Sequence, residues 1–95
     1  MIKASQQETI KTRLDHAVDM VKKEYQYARQ LHEPVRSAHE GFGLIYEEVH
    51  ELLDAIRLNN RFNQIEEAVQ VAAMALAYIA EVYPDHELNL DRPIL

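Results

Sequence analysis

The sequence contains no cysteine, which excludes disulfide bonds, thiolate metal sites and a cysteine nucleophile. It has two glycines and three prolines, and this scarcity, together with abundant Ala, Glu, Leu and Gln, favours a helical chain. The most apolar run, residues 68–80, is too short for a membrane span and is interrupted by Gln70. The longest basic run is Lys22-Lys23 and the net charge is −6, so the positive stripe that nucleic acid requires is missing.

What remains is typical of one small globular domain. The 95 residues are 47% apolar and 27% charged, a balance that argues against disorder. The first residues lack the apolar core of a signal peptide. Together with the missing cysteines, this leads us to expect a cytoplasmic protein that does not contact a membrane.

Apolar spacing and capping signals predict three helices, at about 6–32, 38–58 and 64–82, followed by a tail at 84–95 without a clear period. Capping boxes are predicted at Ser5 and Ser37, and Asn63 is the predicted N-cap of the third helix. In the second helix, one face carries the apolar residues that we expect to form the main core contact: Phe42, Ile45, Val49, Leu52, Leu53 and Ile56.

The third helix is apolar on nearly every side from Ala68 onward, and a helix of this kind is buried on every side. Two other helices can hardly cover it. We therefore expect an all-α bundle of three main helices that is completed by oligomerisation, as a homodimer or a homotetramer.

Carboxylates are concentrated in the second helix. Glu47, Glu48 and Glu51 lie within little more than one turn, with no Lys or Arg between Ser37 and Ile56. Side chains three and four residues apart share a helix face, so these charges repel each other unless a cation neutralises them. Carboxylate oxygens suit Mg²⁺ and Mn²⁺.

The third helix can supply the other half of such a site. If it packs antiparallel to the second, Glu48-x-x-Glu51 faces Glu67-x-x-Gln70 across one seam, which is a reasonable cage for hard cations. A single E-x-x-E is a weak signal, because acidic surface helices contain it by chance. For Glu40 a plain capping role and a ligand role both remain open. For the glycines Gly41 and Gly43, close helix packing is preferred over room for a ligand.

The order E-E-x-x-E, a short turn and E-E on the next helix resembles the MazG-like all-α nucleoside triphosphate pyrophosphohydrolases. The stretches SAHEGFGLIYEEVHEL and EEAVQVAAMALAYI are similar to a small phage- or prophage-type branch of that family. The resemblance covers about residues 37–82. It implies Mg²⁺-dependent hydrolysis of a nucleoside or deoxynucleoside triphosphate to the monophosphate and pyrophosphate.

The resemblance also implies roles for individual residues. Glu48, Glu51 and Glu67 match metal ligands, whereas Gln70 stands where the family has an aspartate. Glu47 or Glu48 is the expected catalytic base. No basic residue after Gln70 matches the family's phosphate-binding ones, which leaves as substrate-binding candidates His39, Arg36, Arg57, Arg61 and Lys22.

Two other functions remain open. Because Gln70 is neutral, the chain is alternatively a helical binding or regulatory module with a degenerate metal site. A third interpretation is a di-iron carboxylate protein, because Glu47-x-x-His50 is the motif of such bundles. These proteins need a second E-x-x-H, which the chain does not have.

Overall fold

A computed structural model describes residues 2–83, which form three helices: α1 (Ala4–Leu31), α2 (Ala38–Arg57) and α3 (Arg61–Glu81). The described residues contain no strand, so this part of the chain is all-α as the composition predicts. No helix within it is both long and apolar enough to cross a membrane. The predicted tail at 84–95 lies outside the described residues.

The helix starts follow the local capping chemistry, with two corrections. Ser37 caps α2 as predicted, and its Oγ accepts a hydrogen bond from the Glu40 backbone N–H at 3.1 Å. At α3 the cap is Asn60, whose side chain accepts from the Asn63 N–H, so the helix begins three residues before the predicted start. At α1 the predicted Ser5 cap is wrong, because the helix already begins at Ala4 and the Lys3 N–H donates to the Gln6 side chain.

The third helix packs against both others and lies between them. The turn from α2 to α3 contains Asn59 at φ 54°, a left-handed conformation that asparagine tolerates at a helix end. The chain therefore reverses within three residues, and α2 and α3 run antiparallel, with Gly41 beside Tyr78 at one end and Glu48 beside Glu67 nearer the turn. Apolar residues of α3 remain exposed on its outer side: Phe62, Ile65, Leu76 and Ile79.

The predicted core face of α2 is correct only in part, because Ile45 and Leu52 are half-buried whereas four of its residues are exposed: Phe42, Val49, Leu53 and Ile56. Phe42 is 63% exposed and Ile56 is 52% exposed, whereas the residues turned toward α3 include the buried Gly41 and Ala55. The reason is size: small residues let two helix backbones approach closely, and α3 presents the buried Ala73 and Ala77 in return. The face that carries Glu48 is therefore the inner one.

The two glycines differ in role. A Cβ added to Gly41 would lie 2.5 Å from Cδ2 of Tyr78 and 3.2 Å from Cγ1 of Val35, so the close-packing interpretation is confirmed there. A Cβ added to Gly43 would meet no atom of residues 2–83 within 4 Å. Packing within the described residues therefore does not explain Gly43.

Candidate metal centre

Three carboxylates meet where α2 and α3 pack together. Glu48 and Glu51 lie one turn apart on α2, and Glu67 comes from the second turn of α3. One oxygen from each of the three lies within 4.8 Å of the others. We call Glu48, Glu51 and Glu67 the carboxylate cluster. Two of its members share one face of α2 because of their i,i+3 spacing, and the short turn after α2 brings the third beside them on the antiparallel helix α3.

Burial makes the cluster electrostatically unfavourable on its own. Glu48 and Glu67 are half-buried and Glu51 is exposed. The Oε2 atoms of Glu48 and Glu67 are buried and have no hydrogen-bond partner among the described residues. Burial raises the pKa of Glu48 to about 7, and a hydrogen bond and repulsion from Glu51 add to the effect. The pKa of Glu67 is raised as well, by burial first and then by Glu51.

The chemistry of the donor set fits a hard divalent cation. All three donors are carboxylates that converge on one place, and two of them each have a buried oxygen without a hydrogen-bond partner in residues 2–83. Within residues 2–83, each ion pair of a Lys or Arg lies elsewhere, at Asp19, Glu81 and Glu40. No protein cation in this part of the chain neutralises the cluster, and a cation such as Mg²⁺ or Mn²⁺ would satisfy both orphan oxygens.

The predicted fourth ligand, Gln70, lies one turn beyond Glu67 on α3 and is half-buried. Its Nε2 donates a hydrogen bond to Oε1 of Glu24 on α1. Glu24 is a residue that the sequence reasoning missed. The signal was present, because this acid lies among the apolar residues that α1 turns toward the bundle: Val21, Tyr25 and Ala28.

A cavity of about 500 Å³ opens between α1 and the α2–α3 pair, and Glu48 lies in its wall. Glu24 and Gln70 line the same cavity, with apolar and aromatic side chains beside them, among which are Tyr27, Leu44 and Met74. A volume of this size is within the range of small-molecule sites. The carboxylate cluster therefore borders a space large enough for an organic ligand.

Glu81, at the C-terminal end of α3, binds three residues that line this cavity, and the sequence reasoning missed it as well. Its side chain is 7% exposed and forms an ion pair with Nε of Arg29 at 2.7 Å. The same carboxylate accepts hydrogen bonds from the Tyr25 hydroxyl at 2.6 Å and from the Val35 N–H at 2.8 Å. It thereby fixes α1 and the segment before α2 onto the end of α3. Arg29 is the one Lys or Arg among the described residues that line the cavity.

The other predicted site residues lie outside the cavity wall. Glu47 is exposed on α2 beside Glu48, and Arg36 is exposed and pairs with Glu40. The remaining substrate-binding candidates are also exposed: His39, Arg57, Arg61 and Lys22. His50 is not part of the cluster, and its ring contacts that of Tyr46 edge-on, with centroids 4.5 Å apart.

Comparisons of the chain with protein-family models, with curated proteins and with solved structures find no match. The chemistry of the site has therefore to be argued from its own residues.

Proposed function

We propose that this protein is a Mg²⁺-dependent nucleotide pyrophosphohydrolase that converts a nucleoside or deoxynucleoside triphosphate to the monophosphate and pyrophosphate. The observation that carries the proposal is the carboxylate cluster, with its two buried and unpartnered oxygens, at the wall of a 500 Å³ cavity. The motif spacing that resembles the MazG-like family agrees with it. Mn²⁺ is the alternative metal.

In this proposal the cluster residues hold the metal and the cavity holds the nucleoside part of the substrate. Mg²⁺ bound by Glu48, Glu51 and Glu67 would neutralise phosphate charge and lower the pKa of water. Glu48 lies in the cavity wall, so a ligand whose phosphates reach the cluster can place its base against side chains such as Tyr27 and Met74. The Glu24–Gln70 pair offers polar contacts beside them.

The reaction adds water across the bond between the α- and β-phosphates and needs a group that accepts the proton of the water. Glu47 is exposed beside Glu48 and is not one of the three converging carboxylates, so both of its oxygens are available. We assign Glu47 as the general base, with Glu48 as the alternative base if the metal does not occupy both of its oxygens.

We propose that the active form is an oligomer of this chain.

A second candidate function is a binding or regulatory module that holds the same metal but does not turn over nucleotides. The observation that favours it is Gln70, a neutral side chain at the fourth position whose amide donates to Glu24. Replacing one carboxylate by an amide removes a charge from the site and weakens its hold on a hard cation.

The test combines pyrophosphate release with metal binding. Wild type, Glu48→Gln and the control Asp54→Asn are assayed on a panel of NTPs and dNTPs with Mg²⁺ or Mn²⁺, and Mn²⁺ binding is followed by electron paramagnetic resonance. We expect turnover and binding in wild type and in Asp54→Asn, because Asp54 is exposed on α2 outside the cluster. We expect at least a tenfold loss of both in Glu48→Gln, because it removes a ligand charge.

The outcomes separate the two candidates. Mn²⁺ binding by wild type without turnover of any nucleotide would support the binding module. In that case Gln70→Asp, which restores the fourth carboxylate, should increase metal affinity if charge is what the site lacks. Absence of Mn²⁺ binding by wild type would overturn both.

A further inference from the structure

The side chains of the cavity change in character along its length. On α3 the cluster residue Glu67 is followed on the same face by Gln70 and Met74, which lie about 4.5 Å and about 10 Å farther along the helix at 1.5 Å per residue. Gln70 and Met74 line the cavity, and so does Leu44, which α2 places beyond the cluster in the same direction. The polar pair of Glu24 and Gln70 therefore lies between the carboxylate cluster and the apolar part of the cavity.

Glu24 is a half-buried carboxylate that is held by a neutral side chain. Nε2 of Gln70 donates a hydrogen bond to its Oε1. Within residues 2–83, no Lys or Arg forms an ion pair with Glu24. A carboxylate has about four acceptor sites, so one hydrogen bond leaves acceptor capacity on both oxygens. A partly desolvated carboxylate is stabilised by further donors, and a ligand in the cavity can supply them.

The donors that fit this position are the hydroxyl groups of a ribose. In every nucleotide the sugar lies between the phosphates and the base, as the Glu24–Gln70 pair lies between the cluster and the apolar side chains. The 2′- and 3′-hydroxyls of ribose are adjacent and both can donate, so they match the two oxygens of one carboxylate. An acidic side chain on the ribose 2′-hydroxyl is also how dinucleotide-binding folds hold NAD. Deoxyribose has no 2′-hydroxyl and would leave one of the two oxygens without a donor.

We propose that Glu24 gives this site a preference for ribonucleoside over deoxyribonucleoside triphosphates, with its carboxylate accepting hydrogen bonds from the 2′- and 3′-hydroxyls. The proposal rests on the nucleotide function proposed above and decides between the two sugars that it left open. Gln70 acts as a positioning residue, because its amide holds one oxygen of Glu24 in place. A carboxylate at position 70 would repel Glu24 instead, which gives the neutral side chain a role beyond the metal.

The test compares kcat/KM for ATP with dATP, and for GTP with dGTP, in wild type, Glu24→Gln and the control Glu33→Gln. We expect wild type to prefer the ribonucleotides roughly tenfold to a hundredfold, as a hydrogen bond to a charged group provides. Glu24→Gln can still accept from Gln70 through its carbonyl, but its amide nitrogen is not an acceptor, so the preference should fall below roughly threefold. Glu33 is exposed and lines the same cavity, so its variant removes an equal charge and should keep the wild-type ratio.

The ratio between sugars separates a sugar contact from other roles of Glu24. Loss of a negative charge, or of the hydrogen bond that ties α1 to α3, changes the values for both sugars by the same factor. A wild type without a preference for ribonucleotides, or a preference that Glu24→Gln keeps, would overturn the sugar contact and leave the proposed hydrolase in place. A variant that loses a preference between ATP and GTP, and not between sugars, would assign Glu24 to the base instead.

Binding to wild type tests the same contact where a variant does not fold, which circular dichroism would show. The probes are ATP, 2′-deoxy-ATP and 3′-deoxy-ATP, titrated by calorimetry with Ca²⁺ in place of Mg²⁺ to suppress turnover. We expect each missing hydroxyl to weaken binding at least roughly tenfold. Equal affinity for all three would refute the sugar contact alone, whereas no binding of any of them would refute the proposed nucleotide function together with it.

Discussion

The raised pKa of Glu48 predicts that the metal-free protein loses stability as the pH rises. Burial first, and then Glu51 and Glu67, raise this pKa from 4.5 to about 7. The native state therefore binds the Glu48 proton more tightly than the unfolded state does. The stabilising contribution is fully present below pH 4.5 and is lost as the pH rises through 7.

The magnitude follows from the size of the shift. At 1.36 kcal/mol per pKa unit, the change from 4.5 to about 7 corresponds to about 3 kcal/mol as an upper limit. Glu48 is only half-buried, and solvent screening reduces the effect. We expect wild type to lose about 1–2 kcal/mol of unfolding free energy between pH 5 and pH 8, relative to Glu48→Gln, which keeps the shape of the side chain but does not titrate.

The assay is urea denaturation followed by circular dichroism, in the presence of a chelator, at pH 5 and at pH 8. Glu47→Gln is the matched control, because it removes the neighbouring carboxylate, which is exposed and outside the cluster. The control should lose stability with pH as wild type does. If Glu48→Gln lost as much unfolding free energy as wild type between pH 5 and pH 8, ionisation of Glu48 would not destabilise the fold. The main reason to expect a cation at the cluster would then be lost.

Three further measurements follow from the same structure. Added Mg²⁺ should raise the unfolding free energy of wild type more at pH 8 than at pH 5, since binding requires ionised carboxylates, and an equal rise at both values would count against the cluster as the site. Gly41→Ala should destabilise by about 1–3 kcal/mol, because the new Cβ meets the ring of Tyr78, whereas Gly43→Ala should be neutral or stabilise its own chain by up to about 1 kcal/mol. Glu81→Gln should lower the unfolding free energy by about 3 kcal/mol, since it breaks a buried ion pair, while Asp19→Asn in a solvent-exposed pair should change it far less. Similar values for the two variants would contradict the anchoring role of Glu81.

The sequence predicted the helices because their signals are local. Each predicted end lies within three residues of the observed one, and the Ser37 cap depends only on its neighbours in the chain. The inner face of α2 could not be predicted by counting apolar side chains. If they faced α3, Phe42 and Ile56 would bury more apolar surface than Gly41 and Ala55 do. The small residues nevertheless face inward, because they permit the close helix contact with α3.

The residues of the candidate site also differ in whether local sequence signals predict them. Glu48, Glu51 and Glu67 meet because of spacing on one helix and a short turn, and both features are visible in the sequence. The contacts of Glu24 and Glu81 depend on how α1 crosses α3. These contacts join residues more than 45 positions apart in the sequence, so no local pattern predicts them. An acid within an apolar helix face, as at Glu24, is the one indication that the chain itself provides.

The orientation of α2 bears on both the proposed metal site and the proposed oligomer. A helix with an acidic face and an apolar face cannot bury both against α3, and burial of the face that carries Phe42 and Ile56 would leave the carboxylates in water without need of a cation. The chain instead turns Glu48 inward, which raises its pKa, and leaves Phe42 outward, which exposes apolar surface. A bound cation would offset the first consequence, and the proposed oligomer would cover the exposed apolar surface. Because the two faces are distinct, we expect removal of the metal to leave the proposed oligomer intact and Val49→Glu to leave metal binding intact.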